Sequence, residues 1–257
     1  MTTNTLAQSR GRRKRLAIWI SAVALILILA CIVGYRLMVY PPSGQAVQAM
    51  QSDTTVTVTD QDGIIQFEPA SANKQPSVLF YPGAFVDPES YSPWARKLAE
   101  AGYRTYIVRM PLNLAVMGMN KADQVIEAHP DETFVLGGHS LGGAMAARYA
   151  AEHADQLAGV FFMGAYADDK GSLAATDLKA LQLTGSQDGV LSWDTWEQDK
   201  KNMPKETTYV SIEGGNHAQF GSYGSQRGDL EATISEAEQH DQIAKAMVTW
   251  LEQMQSN

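Results

Sequence analysis

An α/β fold, with a mostly parallel sheet covered by helices on both faces, is what this 257-residue sequence predicts. Three observations carry the prediction. Short runs that are apolar at almost every position, such as SVLFYP at 77–82 and LAGVFFMGAY at 157–166, alternate with helical segments. Strands of that composition are buried on both faces, as in parallel sheets. The last helical segment places Ile243, Met247, Trp250, Leu251 and Met254 on one stripe, suited to packing on a sheet. No repeat or low-complexity tract interrupts residues 54–257, so one domain accounts for them.

The first 35 residues are of a different kind. Arg10, Arg12, Arg13, Lys14 and Arg15 lead into LAIWISAVALILILACIVGY, residues 16–35, which carry no charge. At about 1.5 Å of rise per residue, a helix of that length covers a hydrocarbon layer of about 30 Å. The expectation is a basic cytoplasmic tail over 1–15 and an uncleaved transmembrane signal anchor over 16–35 in a bacterial cell membrane. Everything from Arg36 onward then lies outside the cytoplasm, by the positive-inside rule. A cleaved export signal is one alternative. A lipoprotein anchored at Cys31 is another, since Ile28-Leu29-Ala30-Cys31 resembles a bacterial lipobox, although Leu29 is bulky for its place and the apolar run continues past the cysteine. Residues 36–53, with Pro41, Pro42 and Gly44, read as a linker to a domain over 54–257.

Within that domain, TTVTVTD at 54–60 and GIIQFEP at 63–69, separated at Asp62-Gly63, predict an antiparallel hairpin at a sheet edge. SVLFYP is the first central strand, PWARKLAEAGY at 93–103 a helix ending near Gly102, and TYIVRM at 105–110 the next strand. A helix over 118–128, the strand ETFVLGG at 132–138, a helix over 141–153 and the strand at 157–166 follow. LKALQLTG at 178–185, a short helical stretch from Trp193 to Asp199, the strand ETTYVSIEG at 206–214 and a closing helix within 231–255 complete the series. Residues 37–257 hold 14 basic against 28 acidic side chains, a net charge of −14, so a general affinity for nucleic acid or anionic lipid surfaces is not expected. The single cysteine, Cys31, has no intramolecular partner, and the sequence specifies no oligomeric state.

The strongest local signal is Gly138-His139-Ser140-Leu141-Gly142-Gly143, between a strand and a helix. A serine at the tip of such a turn stands exposed above the sheet, with glycines permitting close backbone approach. Ser140 is the candidate nucleophile, and the Leu141 N–H at the helix start is a candidate oxyanion donor. The second donor is expected in the loop Tyr81-Pro82-Gly83-Ala84-Phe85-Val86, at Ala84, with Phe85 as the alternative. Of five histidines, His217 follows a strand in Gly214-Gly215-Asn216-His217, at the sheet edge where Ser140 emerges, and is the candidate base. His139 is pinned beside Ser140 and is expected to pack next to the turn; exposed or structural roles suffice for His129, His153 and His240. Asp188, in Thr184-Gly185-Ser186-Gln187-Asp188-Gly189, is the candidate orienting acid, with Asp168 and Asp169 in reserve. Trp193, Trp196 and Phe220 are candidate acyl-pocket residues or ordinary packing.

Together these motifs resemble the α/β-hydrolase fold and, more narrowly, small capless bacterial hydrolases related to dienelactone hydrolases. The resemblance spans about 54–255. It implies an eight-stranded, mostly parallel sheet, a triad of Ser140, Asp188 and His217, and an oxyanion hole from Leu141 and the 83–85 loop. Dienelactone hydrolases carry a cysteine nucleophile where this chain has Ser140, so lactone specificity is not inherited. Only 11 residues, 167–177, separate two strand segments, too few for a large lid. The glycines form no dinucleotide or phosphate fingerprint, and no histidines and acids stand at metal-ligand spacing, so no cofactor or metal is expected. The expected activity is hydrolysis of a small acyl ester through an acyl-enzyme. The same residues serve an amidase or peptidase, a thioesterase or an acyltransferase; a non-catalytic membrane-tethered binding domain is the reading from another class.

Overall fold

In a computed structural model, residues 3–71 and 73–255 are described, with side chains before Trp19 outside the described set. The chain separates into two units, Met1–Val39 and Tyr40–Asn257. The first is one helix, α1 (Thr3–Met38), in which Trp19–Met38 is long and apolar enough to cross a membrane, with a mean hydropathy of 2.4. The basic cluster from Arg10 to Arg15 falls in this helix; its side chains belong to the undescribed set.

The second unit is built on one eight-stranded sheet. β1 (Val56–Gln61) and β2 (Ile64–Pro69) form the edge hairpin, Gln61 opposite Ile64. Asp62 and Gly63 turn the chain at φ 53° and 79°, the two left-handed positions that an Asp-Gly pair accommodates. β3 (Lys74–Tyr81), β4 (Tyr103–Val108), β5 (Phe134–His139), β6 (Gly159–Met163), β7 (Lys179–Gly185) and β8 (Thr207–Ile212) run parallel to one another. The order is β1-β2-β4-β3-β5-β6-β7-β8. The chain therefore steps from β3 outward to β4, then returns across β3 to β5. That reversal leaves a crevice at the carboxyl ends of β3 and β5, where open α/β sheets hold their sites.

Continuous apolar strands arise because both sheet faces are covered. Along β3, Val78 and Phe80 point to one face and meet α3 (Ser92–Glu100) and α7 (Glu236–Gln255) through Trp94, Leu98, Ile243, Met247 and Leu251. Leu79 and Tyr81 point to the other and meet α4 (Ala122–Ala128) and α5 (Leu141–Glu152) through Val125, Met145 and Tyr149. Burying each such large apolar side chain contributes about 1.5–3 kcal/mol. The stripe read on the closing helix thus packs on the sheet, except that Met254 is only partly buried.

The stretch before β1 is ordered. Ser43 Oγ accepts the Ala46 N–H at 3.3 Å and caps α2 (Gly44–Ala49). Arg96 Nε donates to the Ala49 carbonyl at 2.9 Å. Tyr40 forms a parallel bridge with Val86, its N–H donating to Phe85 O at 2.8 Å.

Of the two roles left open for His240, exposed or structural, the fold takes the structural one. His240 is 1% exposed, and its Nε2 lies 3.2 Å from Gly221 O, where it donates. Burial pulls its pKa down to about 4. Its folded pKa lies below the unfolded value near 6.5, so the stabilisation is complete above pH 6.5 and lost as pH falls toward 4. The expected loss is about 3 kcal/mol, and His240→Gln, which keeps an N–H donor, is expected to flatten the fall in melting temperature between pH 7 and 5. An unchanged pH profile in that variant would refute the assignment.

Candidate active site

The chain leaves β5 through Gly138 and His139 and enters α5 at Leu141, with Ser140 between them at φ 52° and ψ −123°. That backbone conformation is costly for a residue with a side chain, about 1–3 kcal/mol. Its surroundings hold it: the Ser140 N–H donates to Met163 O at 3.1 Å. A Cβ on Gly142 would lie 2.1 Å from Tyr81 O and 2.4 Å from Pro82 O, and one on Gly138 would lie 2.5 Å from the Gly142 carbonyl carbon. The start of α5 is therefore pressed, backbone against backbone, on the end of β3. Ser140 stands half-buried at the tip.

Asp188 and His217 meet from the loops after β7 and β8. Both are buried, and His217 Nδ1 lies 2.8 Å from Asp188 Oδ2. The other carboxylate oxygen, Oδ1, accepts the N–H groups of Val190 and Leu191 at 2.9 and 2.7 Å. With one oxygen fixed by two amides, the second is aimed at the imidazole, and a carboxylate there accepts Nδ1–H and leaves Nε2 with its lone pair. Nε2 is buried without a hydrogen-bond partner among the described residues. Gly164, next to the Met163 that binds Ser140, lies against this pair: a Cβ there would be 2.9 Å from His217 Nδ1 and 3.1 Å from Asp188 Oδ2. On its other side the His217 ring packs on His139, with centroids 4.4 Å apart. The imidazole is thus wedged between the residue preceding Ser140 and the residue following its backbone partner.

His139 supports the loop after β3. Tyr91 Oη accepts the Gly83 N–H at 2.9 Å and lies 2.9 Å from His139 Nδ1. Burial raises the Tyr91 pKa far above the usual phenol value, so the hydroxyl keeps its proton and donates it to Nδ1. Burial, and then the adjacent His217, hold the His139 pKa well below the ordinary histidine range, so this ring stays neutral. A Cβ on Gly83 would fall 2.8 Å from His139 Nδ1, so the loop rests directly on the ring. Phe85, the alternative second donor, has its N–H committed to Asn113 O at 2.8 Å. Neither the Ala84 nor the Leu141 N–H has an acceptor among the described residues.

The remaining candidates sit elsewhere. Asp168 is paired with Arg148 and accepts the Gly171 N–H; Asp169 binds Asn202 and Lys201. His129 packs on Tyr106, and His153 stacks on Tyr149. Phe220 is fully buried, 5.6 Å from the His139 ring, as core packing. Trp193 donates its Nε1–H to Asp188 O at 2.9 Å, while Trp196 packs edge-on to Trp193 and Tyr209. Sequence reasoning missed three supports. Asp229 accepts from Gly189 N–H and Ala218 N–H, tying the acid loop to the histidine loop. Gln239 on α7 accepts the Asn216 N–H at 3.0 Å and donates to Asn216 O at 2.9 Å. Tyr91 is the third, and none of the three carries a local sequence signal.

Gly142→Ala tests the contact between α5 and β3. The methyl group meets backbone atoms of Tyr81 and Pro82, so α5 must retreat and carry the Leu141 N–H away from the Ala84 loop. Turnover is expected to fall about 10²–10³-fold, as for a lost oxyanion donor, with a lower melting temperature. Wild-type kinetics in this variant would overturn the packing argument.

Residues 77–241 match the family model described as the alpha/beta hydrolase family. No curated protein matches the chain at a significant level. Among solved structures, a bacterial membrane phospholipase A described as a virulence factor is 14% identical, with all of each chain covered and a TM-score of 0.59. A CIB-like hydrolase from Thermoplasma acidophilum is 15% identical over 77% of this chain and 97% of its own, TM-score 0.58. A thermophilic esterase from Thermogutta terrifontis is 14% identical over 79% of this chain and 99% of its own, TM-score 0.55. At these identities the likeness is one of fold.

Proposed function

The chain belongs to the alpha/beta hydrolase family, and we propose that within it this protein is a membrane-anchored serine hydrolase that cleaves carboxylic esters. The observation that carries the reading is the buried Asp188–His217 pair at 2.8 Å, whose imidazole packs on His139 next to the strained turn at Ser140 and has Nε2 unpartnered among the described residues. Ser140 Oγ attacks the acyl carbon while His217 Nε2 takes its proton, and the imidazolium formed is stabilised by Asp188. The N–H groups of Leu141 and Ala84 bind the oxyanion, each contributing about 3 kcal/mol. Nε2 returns the proton to the departing alcohol. Water, deprotonated by the same nitrogen, then attacks the acyl-enzyme, releasing the acid and restoring the Ser140 hydroxyl.

Esters are favoured because the site offers one acid–base nitrogen and two free amides, enough for an alkoxide leaving group. The narrower likeness to capless dienelactone hydrolase-like enzymes is part of the proposal and rests on the motifs around Gly83, Ser140, Asp188 and His217, with the short connection over 167–177 leaving little chain for a lid. The anchor is α1, with the domain outside the cytoplasm and no lipid at Cys31 required. A fluorophosphonate probe applied to the full chain is expected to label wild type and not Ser140→Ala. A folded wild-type protein that resists the probe would sink the reading. p-Nitrophenyl esters of graded length, set against thioesters and amides, then fix the acyl and leaving-group preference.

A further inference from the structure

Within the Tyr40–Asn257 unit, the sheet edge that carries the site also carries most of the exposed large apolar side chains among the described residues. Among the described residues of the Tyr40–Asn257 unit, eight large apolar side chains are exposed. Six of them, Leu112, Val116, Met117, Val190, Trp193 and Leu230, lie after β4, β7 and β8, at the carboxyl edge of the sheet with Ser140. Leu112, Val116 and Met117 are 55–56% exposed within six residues. A soluble domain scatters such side chains singly; their gathering on one edge marks an interaction surface.

What covers this edge follows from Phe85. Its N–H donates to Asn113 O, in the apolar loop, and its carbonyl accepts the Tyr40 N–H. Tyr40 is the second residue after Met38, where the apolar span Trp19–Met38 ends. Two residues of chain reach at most about 7 Å, whatever direction the helix takes. The strap from the span thus ends on the loop that holds Ala84. A second copy is a poor occupant, since each domain carries 28 acids against 14 bases and like domains repel. The same charge gives no attraction to anionic headgroups, so contact with a membrane comes from apolar side chains entering its boundary.

We propose that this edge docks on the bilayer crossed by α1, with Val116 and Met117 entering the boundary between headgroups and acyl chains, and that the ester cleaved at Ser140 is an acyl ester of a membrane lipid. The inference rests on the serine hydrolase and anchor readings above and adds the substrate class. Water is consumed, and the products are a fatty acid and a lysolipid.

The test uses the full chain reconstituted in phosphatidylcholine vesicles. A Cys31→Ser, Val116→Cys protein carrying an environment-sensitive fluorophore at 116 is expected to show blue-shifted emission, quenched by phosphatidylcholine brominated in its acyl chains. Water-like, unquenched emission overturns the docking. Shielding that grows only with protein density, without quenching by the brominated chains, assigns the edge to a second copy and also overturns it. In parallel, Val116→Asp/Met117→Asp is compared with wild type on vesicle phosphatidylcholine and on soluble p-nitrophenyl butyrate. Leu112 is left alone because it sits at φ 52°. The ratio of vesicle to soluble turnover is expected to fall at least tenfold; an unchanged ratio overturns the proposal. Soluble ester cleaved through Ser140 with no vesicle lipid cleaved defeats the substrate class and leaves the hydrolase reading standing. With no ester cleaved at all, the hydrolase reading and the substrate class fall together, and the fluorophore still decides the docking.

Discussion

Ser140→Ala is expected to lower kcat on a p-nitrophenyl ester by about 10⁵–10⁶, with a small residue of activity from the two amide donors and substrate binding. The variant removes only Oγ. Its backbone must still adopt φ 52°, which alanine tolerates no better and no worse than serine, so the melting temperature should move little. His217→Ala is expected to cost a similar factor, and the double variant no more than either alone, because in the proposed mechanism the two side chains act in one proton transfer. Steady-state rates on the three proteins, with melting curves to exclude misfolding, check this. Losses that multiply in the double variant would show that Ser140 and His217 do not work as a unit.

On the proposed mechanism, Asp188→Asn is expected to lower kcat by about 10³–10⁴ with KM nearly unchanged, the effect this substitution has in Ser-His-Asp triads. The reason is specific to this loop. Val190 and Leu191 present two N–H groups to Oδ1, so the asparagine carbonyl is held at that position. Its amide NH₂ must then occupy the place of Oδ2, facing His217 Nδ1. A donor there forces the imidazole proton onto Nε2, and the nitrogen proposed as the base for Ser140 can no longer accept. Proton NMR of the imidazole N–H should show the proton on Nδ1 in wild type and on Nε2 in the variant. A variant with wild-type turnover would remove the orienting role of Asp188.

How much was legible follows from how local each constraint is. The turn at Ser140 was readable because its glycines are required at fixed offsets by contacts within a few residues, Gly138 against Gly142 among them. His217 and Asp188 were readable because each follows a parallel strand, and parallel strands end on one edge. For His240 the sequence left an exposed and a structural role open, because Glu238, Gln239 and Asp241 make its surroundings polar; the loop at Gly221 closes over it in space and gives it the structural one. The segment over 118–128 was expected to be one helix; α4 starts only at Ala122, and the residues before it form 3₁₀ turns. Those turns put Val116 and Met117 in solvent, which no periodicity announced.

By itself, the sequence determined the layered α/β architecture, the apolar helix ahead of it and which candidate side chains stand at the carboxyl edge of the sheet. Those depend on period, on glycine placement and on the length of an uncharged run, all of which are properties of neighbouring residues. Only the tertiary structure decided which acid faces His217, which amide near Gly83 stays free, and that Tyr91, Asp229 and Gln239 brace the loops. Hydrogen bonds between residues far apart in the chain are chosen by packing, where one amide, such as that of Phe85, is consumed by Asn113 and its neighbour at Ala84 is left without an acceptor among the described residues.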